Sequence, residues 1–142
     1  MLVELIYCSR SVRSFDDEDL EYLLLHTRAK NEAMNITGAL IYANCQFLQV
    51  IEGERADVNR VFQSISHDAR HFAVELLSYR DIVGRNFEAW HMAFVGGKGV
   101  KKLAFHESEA DFNCANLNGS SALGLLMEQS QLTIPELATS AR

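Results

Sequence analysis

The feature that most constrains this chain is the order in which its hydrophobic period changes. LVELIYCS (2–9) is a short apolar run rich in strand formers. In SFDDEDLEYLLLHTRAKNEAM (14–34), Leu20, Leu23, Leu24 and Thr27 fall at helical spacing. Its acids cluster at the start, with Arg28 and Lys30 near the end, the charge order that complements a helix dipole. Ser14, followed three residues later by Asp17, marks the expected helix start. NITGALIYANCQFLQVIEG then reads as two strands, 36–43 and 46–52, turning at Ala43–Asn44–Cys45, where Asn tolerates a tight turn. ERADVNRVFQSISHDARH gives a second helix, with Val58, Val61, Phe62 and Ile65 at i, i+3, i+4 and i+7. AVELLSYRDI (73–82) is a fourth strand. After a turn at Gly84, FEAWHMAFV (87–95) gives a short fifth.

The resulting order, β-α-β-β-α-β, is the split βαβ arrangement: an α+β, ferredoxin-like sandwich with two helices side by side on one face of the sheet. Strands 1 and 3 are its central pair. The core is expected over 1–95, with a C-terminal extension over 96–142. The extension begins at GGKG and continues with a weak helix near 99–106 and a polar loop around NCANLNGSS. It then carries an apolar segment, ALGLLMEQSQL, before Pro135. That segment reads as a helix that either packs on the sheet's other face or meets a partner.

A length of 142 residues suits one domain with a short appendage. A net charge of −6 argues against nucleic acid or an anionic membrane as the main partner. No stretch approaches the roughly 18–20 apolar residues of a membrane helix, and MLVELIYCSR lacks the basic lead of a signal peptide. Three cysteines with no CxxC and no nearby His pair fit a reducing cytoplasm better than a disulfide framework, and they supply no metal site.

Some polar residues sit oddly in this pattern. Gln49 interrupts the apolar FLQVIEG, alternating with Phe47 and Ile51, and Tyr7 alternates with Val3 and Leu5 on strand 1. Burying an unpaired amide costs several kcal/mol, so Gln49 either looks at water or serves an interior need. On central strands the second reading gains, and the two side chains come within reach of one another under the helices. Asn31 lies at the end of the first helix, able to cap it or to point between the helices. Trp90 and Met92 share one face of the last strand by period two, either one of them inward.

Taken together, LIYCSR with Tyr7, KNEAMNITGALIYANCQFLQVIEGE with Asn31 and Gln49, HDARH (67–71) and FEAWHMAFV closely resemble the BLUF family of blue-light sensors. The resemblance covers residues 2–95 and implies FAD as cofactor, with FMN or riboflavin tolerated, its ring between the two helices. It implies that Tyr7 and Gln49 form the photoactive pair and that Asn31 bonds the pyrimidine edge. Ile36, Leu24 and Phe62 would form apolar walls; Lys30, Arg70 and His71 would serve the ribityl and phosphate side. In the implied cycle the excited ring takes an electron and then a proton from Tyr7. Recombination leaves Gln49 rearranged, donating a stronger hydrogen bond to flavin O4 and shifting absorption slightly to the red. The signal would pass through Trp90 and Met92 to the extension and alter binding of another protein, without enzymatic turnover. The resemblance is to short, single-domain members, many of them homo-oligomers, dimers or larger. The competing readings are a flavin oxidoreductase, an acylphosphatase-like hydrolase and a light-insensitive interaction module on the same fold. The hydrolase is disfavoured because the loop after strand 1 lacks a Gly-rich phosphate cradle.

Overall fold

The computed structural model of the protein describes residues 1–96 and 112–132. Its first six elements follow the expected order. β1 (Leu2–Ser11), α1 (Asp17–Ala33), β2 (Thr37–Ala43), β3 (Gln46–Glu54), α2 (Arg55–Ser66) and β4 (His71–Asp81) precede a short β5 (Ala93–Gly96). After a 3₁₀ turn at Cys114–Asn116 comes α3 (Gly119–Leu132). The weak helix expected near 99–106 lies outside the described residues.

The sheet runs β4-β1-β3-β2-β5, so β1 and β3 are central. β5 joins the edge, parallel to β2, and every other neighbouring pair is antiparallel. Both faces of β1 and β3 are covered, which is why their sequences read as near-continuous apolar runs. Val3, Leu5, Tyr7 and Ile51 pack under α1 and α2. Ile6, Cys8, Leu48 and Val50 face the opposite way, against Ala122, Leu125 and Leu126 of α3. The apolar segment of the extension therefore closes the second face of its own sheet. Gln46 fastens it there: its amide donates to the Phe112 carbonyl at 2.6 Å and accepts from the Cys114 N–H at 2.8 Å.

One helix start differs from expectation, and two further details fix the ends of these elements. The start of α1 is Asp16, not Ser14: Asp16 and Asp19 form a reciprocal capping box, with bonds of 2.8 and 3.0 Å. Phe15 before the cap and Leu20 four residues after it are both buried in the same cluster, the arrangement of a hydrophobic staple. The β2–β3 turn places Asn44 and Cys45 at φ 50° and 56°, as a two-residue type I′ hairpin requires.

The largest difference concerns the fifth strand, which does not start at Phe87. Residues 85–92 are irregular because side chains and isolated backbone bonds, not a continuous ladder, satisfy their backbone. The buried Glu52 carboxylate accepts from the N–H groups of Asn86 (2.7 Å) and Phe87 (3.0 Å). The Trp90 carbonyl accepts from Gly38, where a Cβ would stand 2.0 Å from the Val50 carbonyl oxygen, so that only glycine fits. Strand pairing begins only at Ala39–Ala93. Trp90 and Met92 thus share no strand face. Met92 is fully buried with the α1–α2 cluster, whereas the half-buried Trp90 packs against the α3 cluster.

Candidate functional site

Beneath α1 and α2, above the central strands, lies a cavity of about 420 Å³. Its floor comes from alternation on neighbouring strands. Tyr7 and Gln49 are direct cross-strand partners and so project to the same face. The Tyr7 hydroxyl donates to Gln49 Oε1. At its other end the amide donates from Nε2 to the Met92 sulfur at 3.4 Å. This answers how a glutamine survives in an apolar central strand: both ends of its amide are engaged. Burial, reinforced by the Asp68 carboxylate, raises the Tyr7 pKa well above the ordinary phenol value, so the hydroxyl keeps its proton.

The helices supply the rest. Half-burial of Val61 and Ile65 on α2 reflects the cavity they line. Leu23 and Thr27 of α1 face it from the other side. Asn31 is buried at the end of α1; its Nδ2 donates to the His91 carbonyl at 2.7 Å, and its own carbonyl accepts from Ile36 at 2.8 Å. Three cations, Lys30, Arg60 and Arg70, line the cavity with exposed side chains, whereas Gln49 and Asn31 are only 4% and 3% exposed. The amides therefore mark its dry end and the cations its solvent side. Asp68 holds Arg70 through paired hydrogen bonds, and that guanidinium lowers the Asp68 pKa to about 2. His71 bridges Ser9 at 2.7 Å and the Ile65 carbonyl at 2.6 Å, tying β1, β4 and α2 together beside the cavity.

Of the residues singled out from sequence, Tyr7, Lys30, Asn31, Gln49, Arg70 and His71 all line this cavity. Leu24, Ile36 and Phe62 stand behind its surface: all three pack in the surrounding cluster, and the Phe62 ring lies 5.7 Å from that of Tyr7. Sequence reading missed Leu40, Phe47, Met34 and Asp68 as lining groups. Strand period two does put Phe47 on the Gln49 face and could have found it.

The volume falls in the range of roughly 300–1,000 Å³ typical of small-molecule pockets. Apolar walls, buried amides at one end and cations at the other suit a flat heteroaromatic ring bearing a phosphorylated tail. The fold and cavity thus define an α+β module with a small-molecule pocket and a hydrogen-bonded Tyr–Gln pair on its floor. The pattern described as "BLUF: Sensors of blue-light using FAD" matches residues 2–93. The chain belongs to this family, the flavin-binding sensors of blue light, whose cofactor is FAD.

Similarity to individual proteins agrees. A structure of BlsA in its photo-activated state superposes with a TM-score of 0.78 at 31% identity, covering 92% of this chain and 95% of that one. The dark-state structure of BlrB gives 0.77 at 30%, covering 93% and 96%. The photoactivated adenylate cyclase subunit alpha of Euglena gracilis is 34% identical over 94 residues, which is 64% of this chain and 9% of that one. The chain therefore spans under a tenth of that relative's length. Among the described residues no helix is long and apolar enough to cross a membrane.

Proposed function

We propose that this chain senses blue light through a three-residue relay, Tyr7–Gln49–Met92, and reports it to another protein through β5 and α3. The observation that carries the reading is the Gln49 amide, which is buried, accepts from Tyr7 at one end and donates to the Met92 sulfur at the other.

FAD, when bound, supplies the blue-light absorption and an excited ring able to take up an electron and a proton. Asn31 and Gln49 would hold the polar edge of its ring, Lys30, Arg60 and Arg70 its phosphates, and His71 the side between; FMN or riboflavin would bind with fewer of these contacts. The Tyr7 hydroxyl keeps its proton, donated in a hydrogen bond to Gln49 Oε1, and would give up the electron and the proton that the ring takes. Gln49 carries out the switch because its two ends differ. Rotation of the amide turns Oε1 toward the Met92 sulfur, and a thioether has no proton to donate, so that contact is lost. Tautomerisation instead moves one amide proton to Oε1 and leaves the nitrogen a single N–H, so the Met92 contact and a bond to the ring compete for it. Because Met92 adjoins β5, loss of its contact reaches the β2–β5 edge directly.

The relay involves no turnover of a substrate, so the chain acts as a sensor and not an enzyme. Domain organisation follows: 1–95 senses, and the extension from 96 transmits. The partner is a protein, a reading supported by the name of the Euglena relative, which pairs photoactivation with an adenylate cyclase. Exposed Phe72 and Leu76 on the edge strand β4, with Tyr22 and Leu25 on α1, support a protein-facing surface and assembly as a homo-oligomer, dimer or larger. Free thiols at Cys8, Cys45 and Cys114 support a cytoplasmic location.

The test is an absorption spectrum in the dark, after blue light and through recovery, for the wild type and Gln49→Leu. The wild type should be yellow, shift slightly to the red and relax. Gln49→Leu should keep its flavin and lose the shift. A normal shift in Gln49→Leu removes Gln49 from the switch, and a flavin that bleaches to its reduced form favours an oxidoreductase.

A further inference from the structure

We propose that Arg28 is a positioning residue of the switch: it holds the Met92 carbonyl and thereby keeps the Met92 sulfur against Gln49 in the dark. The inference rests on the Tyr7–Gln49–Met92 relay and adds to it the group that sets Met92 in place.

The segment ahead of β5 hangs from α1 by two side chains one turn apart. Asn31 Nδ2 donates to the His91 carbonyl at 2.7 Å, and Arg28 Nε donates to the Met92 carbonyl at 3.0 Å. A third bond, 3.1 Å between His91 Nδ1 and the Ile36 carbonyl, fixes the intervening side chain. Met92 is therefore held twice, by its backbone from α1 and by its sulfur from β3. The sulfur contact is weak, since a thioether is a poor acceptor. Alone it would not fix a flexible methionine, whereas a carbonyl bonded to a guanidinium is a strong constraint.

The guanidinium makes this contact at a cost. Arg28 is half-buried and its Nη2 is enclosed with no hydrogen-bond partner among the described residues. Burial accordingly disfavours the charge. A surface arginine would ordinarily turn its head to water; this one is kept inside by the bond to Met92. The enclosed Nη2 also gives the Met92 carbonyl a second, already desolvated donor when the segment shifts. Return to the dark state then starts from a segment still attached to α1.

The experiment uses the flavin-loaded protein and two variants. Arg28→Met keeps the apolar stem and removes the donors; Arg28→Lys keeps a cationic donor. Arg28→Met should bind flavin and show the initial red shift but recover about tenfold more slowly, the scale of one charge-assisted hydrogen bond. Amide exchange at Ala93–Val95, measured in the dark, should quicken by a similar factor of about ten. Arg28→Lys should restore both toward wild type, and adding Met92→Ala to Arg28→Met should slow recovery little further. Recovery and exchange within about twofold of wild type in Arg28→Met, an Arg28→Lys variant as impaired as Arg28→Met, or additive slowing with Met92→Ala would each overturn the proposal. So would loss of flavin from Arg28→Met, which would place Arg28 in cofactor retention instead. A wild type with no red shift at all is a separate outcome: it sinks the relay itself.

Discussion

Removing the Tyr7–Gln49 hydrogen bond from one side and then from both should give non-additive losses of stability. Tyr7 and Gln49 are each 4% exposed, so neither can turn to water when its partner is lost. Gln49→Leu leaves the phenol hydroxyl dry, at about 1–3 kcal/mol, and Tyr7→Phe strands Gln49 Oε1 for about the same. In the double variant both polar groups are gone and two apolar side chains of similar shape fill the site, which is close to neutral. The cycle should therefore show a coupling of about 1–3 kcal/mol favouring the pair, above the ~0.5 kcal/mol scatter of independent sites. Urea unfolding of the flavin-free protein, followed by far-UV circular dichroism, measures all four corners. If the double variant loses the sum of the two single losses, the hydroxyl and the amide do not depend on one another, and the relay has no first link.

Three further outcomes can be checked on the same protein. Leu126→Ala, at a fully buried position of α3, should cost about 2–5 kcal/mol, and Leu123→Ala, half-buried on the same helix, clearly less; equal and small losses would mean α3 is not part of the core. Gln46→Leu orphans the Phe112 carbonyl and the Cys114 N–H, costing about 1–3 kcal/mol for each buried group. Limited proteolysis should then release the extension first, and an unchanged cleavage pattern would refute that anchoring role. Burial raises the Glu52 pKa above its unfolded value, outweighing the bonds from Asn86, Phe87 and Thr37 that lower it. Its contribution to stability is therefore full below about pH 4.3 and fades as pH rises through the folded value. Glu52→Gln should flatten that decline in urea midpoints, and an unchanged slope would assign the pH dependence elsewhere.

What could be read from sequence, and what could not, divides along one physical line. Elements whose side chains repeat with the period of their backbone declared themselves: β1 and β3 by continuous apolar runs, α2 by Val58, Val61, Phe62 and Ile65. The Tyr7–Gln49 pair followed, because two residues on neighbouring central strands must share a face if their register matches, and it does. The segment 85–92 has no such period. Its backbone is held by Glu52 on β3 and by Asn31 and Arg28 on α1, two distant parts of the chain, and nothing local records those bonds. Period two applied there put Trp90 and Met92 on one face, when the turn at Phe87–Trp90 sends them to opposite sides of the sheet. The shift of the α1 cap from Ser14 to Asp16 has a similar origin. Four acids in succession, Asp16 to Asp19, offered several capping pairs, and the burial of Phe15 and Leu20 chose among them.

In the proposed relay, the same segment is the route by which a change of one hydrogen bond would leave a rigid core. β1 and β3 are each paired along both edges and buried nearly throughout, so they have little room to yield. Residues 85–92 instead hang from side chains that sit on different elements: Glu52 on β3 faces the α3 side, while Arg28 and Asn31 reach from α1. Gln49 acts on Met92 from inside the cavity, and Trp90, two residues earlier, packs against the α3 cluster. Met92 and Trp90 are joined by a single intervening residue, so a movement that frees one pulls on the other. The proposed connection from cavity to α3 would therefore run through the sheet's edge and not its centre. That is where a structure stiffened by two central strands can still move.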